Sequence, residues 1–108
     1  LGPYVQRGGE ATVRDYELMV LFVPNLDEEG LEAQIERTKG LIEGIGGQIE
    51  KVDKWGKRRF AYEINDITEG FYVVIDFKAE SGTTSEVERI LKITEEVIRY
   101  LLLRKDQD

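Results

Sequence analysis

Hydrophobic and polar positions change period several times along the chain, and each change marks an element. From Asp15 to Val23 apolar residues dominate, β-branched and aromatic ones among them, and the run stops at Pro24, which predicts a buried strand over 15–23. A period of two sets Leu18, Val20 and Phe22 on one face and Glu17, Met19 and Leu21 on the other. The spacing then becomes helical, with Leu31, Ile35, Thr38, Leu41, Ile42 and Ile45 along one stripe. Asp27 is placed to cap that helix and Leu26 and Leu31 to staple its entry, while Glu28 and Glu29 suit the positive end of its dipole. Gly46-Gly47 stops it.

Residues 48–64 alternate as a long second strand, interrupted at Trp55-Gly56, where glycine permits a bulge or bend. The polar run 65–70 (NDITEG) predicts a turn. Phe71 to Phe77 follows as a third strand, with Phe71, Val73, Ile75 and Phe77 on one face and Tyr72, Val74 and Asp76 on the other. The connection from Ser81 to Ser85 offers Thr83-x-x-Glu86 as a capping box before the helical positions Val87, Ile90 and Leu91. Val97 to Leu103 reads as the last strand, and residues 106–108 as a frayed end. Residues 1–13 lack periodicity and hold three of the 11 glycines, so they read as an extension, or a remnant foreign to the fold.

The order β-α-β-β-α-β predicts an α+β domain over 14–105 of ferredoxin-like type, a four-stranded antiparallel sheet with two helices on one face. Leu18, Val20, Phe22, Leu31, Ile35, Ile42, Val73, Ile75, Val87, Ile90 and Leu91 should form the core. Met19, Tyr72 and Val74 should lie on the open face.

Composition narrows the chemistry. A chain of 108 residues, 41% hydrophobic and 34% charged, has the length and balance of one globular domain. Its longest apolar run, Leu18 to Pro24, is far below the ~18 residues of a membrane helix, so no membrane partner is expected. No secretory leader is evident, and the cytoplasm is the expected compartment. There is no Cys and no His, which removes thiolate chemistry, the commonest metal ligand and the commonest general base. Ser81 and Ser85 are the only serines, and neither sits in a G-x-S-x-G turn. Glu32 and Glu36, four apart, are a lone carboxylate pair and a poor metal site. The expectation is a binding domain, not an enzyme, with no cofactor, metal or small-molecule substrate.

The net charge of −7 argues against coating nucleic acid by bulk electrostatics, but the charges are segregated. Residues 27–43 hold six acids against Arg37 and Lys39. Residues 51–59 (KVDKWGKRR) hold five bases against Asp53, and Arg99, Arg104 and Lys105 add three more. Each feature has a plainer reading beside the functional one. Bases on an exposed strand also discourage edge-to-edge aggregation, and Trp55 and Tyr62 serve equally as packing residues.

Arg14-Asp15-Tyr16-Glu17, Pro24-Asn25-Leu26-Asp27, Glu69-Gly70-Phe71-Tyr72 and Val97-Ile98-Arg99-Tyr100 flank the most specific block, Trp55-Gly56-Lys57-Arg58-Arg59-Phe60-Ala61-Tyr62-Glu63-Ile64. Together they resemble the bacterial ribosomal protein S6 family, in register from Arg14 to about Lys105. Phe60 and Glu63 stand where that family often has Leu and Pro, and Val13 where its initiator Met would fall. The resemblance implies a structural component of the small ribosomal subunit. Its implied partners are the central domain of small-subunit ribosomal RNA, in the platform, and ribosomal protein S18. Arg14, Arg58, Arg59, Arg99 and Lys105, from the basic strands and largely from the family-like blocks, are the expected RNA-phosphate contacts. Tyr16, Trp55, Lys57, Tyr62 and Tyr72 are candidate RNA or partner contacts.

Two other readings compete. Leu21-Phe22-Val23-Pro24-Asn25-Leu26 and Gly70-Phe71-Tyr72-Val73-Val74 are similar to the first- and third-strand motifs of RNA-recognition-motif domains, which stack single-stranded RNA on open-face aromatics. That match needs a basic residue at Glu69, and needs Phe22 on the open face although its parity is that of Leu18 and Val20. A ferredoxin-like regulatory or oligomerisation module is the other, and it leaves the basic second strand unexplained.

Overall fold

In the computed structural model, which describes residues 12–64 and 66–105, the first strand extends from Val13 to Phe22 (β1) and lies inside a four-stranded antiparallel sheet. It is followed by helix α1 (Glu28–Gly44), β2 (Gln48–Ile64), β3 (Ile67–Glu80), helix α2 (Ser85–Lys92) and β4 (Val97–Arg104), and the sheet order is β2-β3-β1-β4. This is the ferredoxin-like arrangement. β1 begins inside the stretch read as an extension: Val13 pairs with Glu80, and the Ser81 N–H donates to the Thr12 carbonyl at 2.9 Å. The expectations for residues 1–11 and 106–108 lie outside the described residues.

Local chemistry explains most boundaries. The Asp27 carboxylate accepts from the Gly30 N–H at 2.7 Å and starts α1, and Gly46, at φ 86°, follows its end. The expected capping box at α2 does not form. Thr84 is the N-cap residue and makes no side-chain cap bond, while the Thr83 hydroxyl donates to the Glu80 carbonyl at 2.7 Å, closing the turn after β3. The turn expected over 65–70 is also corrected. Ile67 already pairs with Ile64 and β3 starts there, and Asp66, just before it, takes φ 65°.

The core lies between the sheet and both helices. Leu18, Val20, Phe22, Ile35, Ile42, Val73, Ile75, Val87 and Leu91 are buried as expected, and Tyr16, Phe77 and Ala79 join them. Leu31 is half-buried against this cluster, whereas Ile90, expected in the core, is half-buried outside it. α1 lies toward β2, tied by the Lys54–Glu32 ion pair, and α2 toward β4, where the Tyr100 hydroxyl donates to Glu88 Oε1 at 3.1 Å. Burial, and secondarily the Glu88 carboxylate, raises the Tyr100 phenol above its ordinary value. Among the described residues, no helix is long and apolar enough to cross a membrane.

Candidate nucleic-acid interface

The sheet face away from the helices divides into two ends. Alternation along β1 and pairing across it set Asp15, Glu17, Met19 and Leu21 on this face, with Lys78, Asp76, Val74 and Tyr72 beside them on β3. The Asp15 end is ionic: Lys78 Nζ is 2.6 Å from Asp15 Oδ1 and 3.9 Å from Glu50 Oε2, and Lys105 Nζ is 3.4 Å from Asp76 Oδ2. The Leu21 end is apolar and aromatic. Leu21 and Val74 are buried there although they face away from the helices.

Two irregularities in β2 shape that end. The register with β3 breaks between Lys54 and Gly56, and Gly56 takes φ 85°, a conformation costly for any residue with a Cβ. The bulge brings the Trp55 ring over Tyr72, stacked at 6.1 Å and 11°, and the Arg58 guanidinium 5.7 Å from the Trp55 ring centre. Farther on, β2 advances from Arg59 to Ile64 while β3 retreats only from Glu69 to Ile67. Residues 60–63 of β2 thus stand against Thr68 alone on β3, a large bulge in the long strand. Because β1 ends at Phe22, opposite Phe71, the hairpin from Arg58 to Gly70 projects beyond it as an arm. Phe60 leans back to 6.2 Å from Tyr72. Between arm and sheet lies a groove of about 370 Å³, lined by Met19, Leu21, Phe60, Tyr72 and Leu101, with Arg59 and Arg99 among its walls.

The predicted contacts therefore separate. Arg58, Arg59 and Arg99 are exposed and stand around the arm and its groove. Lys105, already paired with Asp76, lies at the other end, and Arg14 lies there on the helix side, half-buried opposite Ala79. Of the candidate contacts, Trp55 is 42% exposed and Tyr62, on the arm, 85%, while Tyr72 is half-buried in the groove. Lys57 faces the helix side, with its ammonium 5.2 Å above the Phe71 ring. Tyr16 is corrected outright. It shares the parity of Leu18, is 6% exposed and stacks on Phe77 at 5.4 Å, so it is a core residue and offers no contact surface. Phe22 is also buried in the core, which removes the open-face aromatic that an RNA-recognition motif needs at that position. Phe60 and Leu101 were not foreseen in the site; only the strong aromatic content of the family-like block hinted at Phe60. Among the described residues, no group of three or more acidic side chains is arranged to hold a metal ion.

A family model described as ribosomal protein S6 matches residues 15–104. The small ribosomal subunit protein bS6 of Carboxydothermus hydrogenoformans is 50% identical over 95 residues, covering 88% of this chain and 99% of that protein. Its counterpart from Heliobacterium modesticaldum is 45% identical over the same span. The crystal structure of 30S ribosomal protein S6 from Thermotoga maritima superposes with a TM-score of 0.84 at 40% identity, covering 87% of this chain and 89% of that one.

Proposed function

This chain belongs to the ribosomal protein S6 family, structural components of the small ribosomal subunit, and we propose that it binds small-subunit ribosomal RNA jointly with ribosomal protein S18. The RNA would be the central domain, in the platform. The observation that carries this reading is the grouping of Arg58, Arg59 and Arg99 around the aromatic arm of a chain whose net charge is −7. Guanidiniums recognise phosphate through paired N–H donors, and phosphate contacts fix register without reading sequence. Three such contacts on an acidic chain give weak binding alone, with a shallow salt slope of about 0.9 per phosphate. Tight binding then requires a partner that shares the RNA site and supplies further positive charge. The absence of Cys and His in the sequence fits a binding role and not a catalytic one.

The test is a titration of small-subunit RNA with wild type and with an Arg58→Glu/Arg59→Glu double variant, each with and without S18, at two salt concentrations. Weak binding alone, tight binding with S18, and a loss of about tenfold or more in the folded double variant would support the reading, each lost charge-assisted contact being worth ~1.5–3 kcal/mol. Tight binding by the chain alone, or normal assembly by the double variant, would overturn it.

A further inference from the structure

The sheet has two edges, and they are guarded unequally. β2 carries the devices that stop an edge from recruiting another strand: register breaks, a positive-φ glycine, and the cations Lys51, Lys54, Lys57, Arg58 and Arg59. β4 is different. Its single irregularity lies where Leu21 and Phe22 pair with Arg99 and Val97, and from Arg99 to Arg104 its ladder with β1 is unbroken. The strand reads VIRYLLLR, and Leu101 and Leu103 are 52% and 47% exposed. Among the described residues nothing pairs with its outer edge.

We propose that the outer edge of β4 pairs with β4 of a second copy of this chain, antiparallel and centred on Leu101. Directly opposed residues of antiparallel strands share a face, so a two-fold axis must pass through one residue. An axis at Leu101 opposes Leu101 to its own copy, Arg99 to Leu103 and Tyr100 to Leu102, with no two cations opposed. An axis at Leu102 would oppose Arg99 to Lys105. An axis at Tyr100 would oppose Leu103 to Val97, which the irregularity beside Phe22 has turned to the helix side. The Leu101 axis also joins the exposed leucines of both copies into one stripe beside Met19, which pairs with Leu101 inside each sheet. The paired segment is short, well below the ~1,200 Å² of stable interfaces, so the dimer is weak and reversible. Each copy carries a net −7 and brings the exposed Arg99 to the seam, so added salt strengthens the association by screening like charges. RNA binding has the opposite salt dependence.

Sedimentation velocity on the full chain, from micromolar to millimolar concentration at low and high salt, reads the association. Leu101→Lys sets two ammonium groups face to face and should weaken pairing by about tenfold. Leu101→Glu should do the same. An equal mixture of the two variants should restore pairing as a heterodimer, which a merely misfolded variant cannot do. Lys51→Gln, on the opposite edge, should leave the association unchanged. The β4 amides that point away from β1 should exchange fast in dilute solution and be slowed at high concentration, whereas those bonded to β1 are protected at both. A chain that stays monomeric under all these conditions overturns the proposal, as does failure of the mixture to pair. So does protection of the outward-pointing β4 amides already present in the dilute monomer, which would mean the edge is covered within the chain.

Discussion

Gly70 sits where β3 passes closest to the end of β1, and its lack of a side chain is what the packing requires. A Cβ there would stand 2.5 Å from the Phe22 carbonyl oxygen and 3.2 Å from Ile98 and Leu21 side-chain carbons. The carbonyl cannot move without disturbing β1, so Gly70→Ala should destabilise by about 1–3 kcal/mol, read as a lower urea midpoint at unchanged slope. Tyr100 gives a second prediction at this scale. Its phenol is raised by burial and by the Glu88 hydrogen bond, so the folded state favours the protonated form. The stability this contributes is complete below the ordinary phenol range near ~10 and fades as pH rises through the higher folded value. Unfolding midpoints should therefore fall more steeply above pH ~10 in wild type than in Tyr100→Phe, and equal slopes would refute the assignment. At this scale parity is a good guide: it places Leu18, Val20 and Phe22 correctly, and carried two residues back it puts Tyr16, read from the sequence as a contact residue, in the core. It could not show that Leu21 is buried on the other face, because that depends on groove walls contributed by residues 40 to 80 positions away.

At the scale of the element, what was legible depended on whether the signal was local. The Asp27 cap was readable because one carboxylate and one nearby N–H make it, and Asp27→Ala should cost about 1 kcal/mol by chemical denaturation. The Thr83-x-x-Glu86 box fitted the same kind of pattern and failed, since the hydroxyl found a nearer acceptor in the Glu80 carbonyl. The run NDITEG looked like a turn by composition. It is mostly strand because the arm overhangs β1, where no core demands apolar alternation and Ile67, Glu69 and Gly70 need only pair across the hairpin. The Trp55-Gly56 interruption was visible in the sequence, but the stack of Trp55 on Tyr72 that results from it was not. Gly56→Ala meets open space and fails only on backbone conformation, at a cost of about 1–2 kcal/mol. The lone Trp reports the change directly: its fluorescence should shift if relief of φ 85° straightens the bulge and separates the rings.

For the whole molecule, the decisive fact is where the cations stand along an axis 52 Å long. The sequence grouped Arg14, Arg58, Arg59, Arg99 and Lys105 by charge and motif, whereas the topology sends them to different ends. From Arg14 to the end of β1 at Phe22 is eight residues of strand, roughly 26 Å at ~3.3 Å each, and the arm extends farther. The two ends also differ electrostatically. Lys105 faces Asp76 at 3.4 Å within an ionic cluster that includes Asp15, Glu50 and Lys78, so its charge is largely answered within the protein. Arg58 and Arg99 lie beside aromatic and aliphatic groups, Arg58 against the Trp55 ring and Arg99 at the groove, where their fields reach outward. If RNA is held at the arm end, Arg99→Gln should weaken S18-assisted binding by about tenfold and reduce the salt slope by about one phosphate's worth. Lys105→Gln should change affinity by no more than about twofold and leave the slope unaltered, since it removes a charge already paired. Binding isotherms of both variants at several salt concentrations measure the two quantities together. An Lys105→Gln effect as large as that of Arg99→Gln would mean that RNA runs the length of the sheet, and the assignment of the interface to the arm would have to be abandoned.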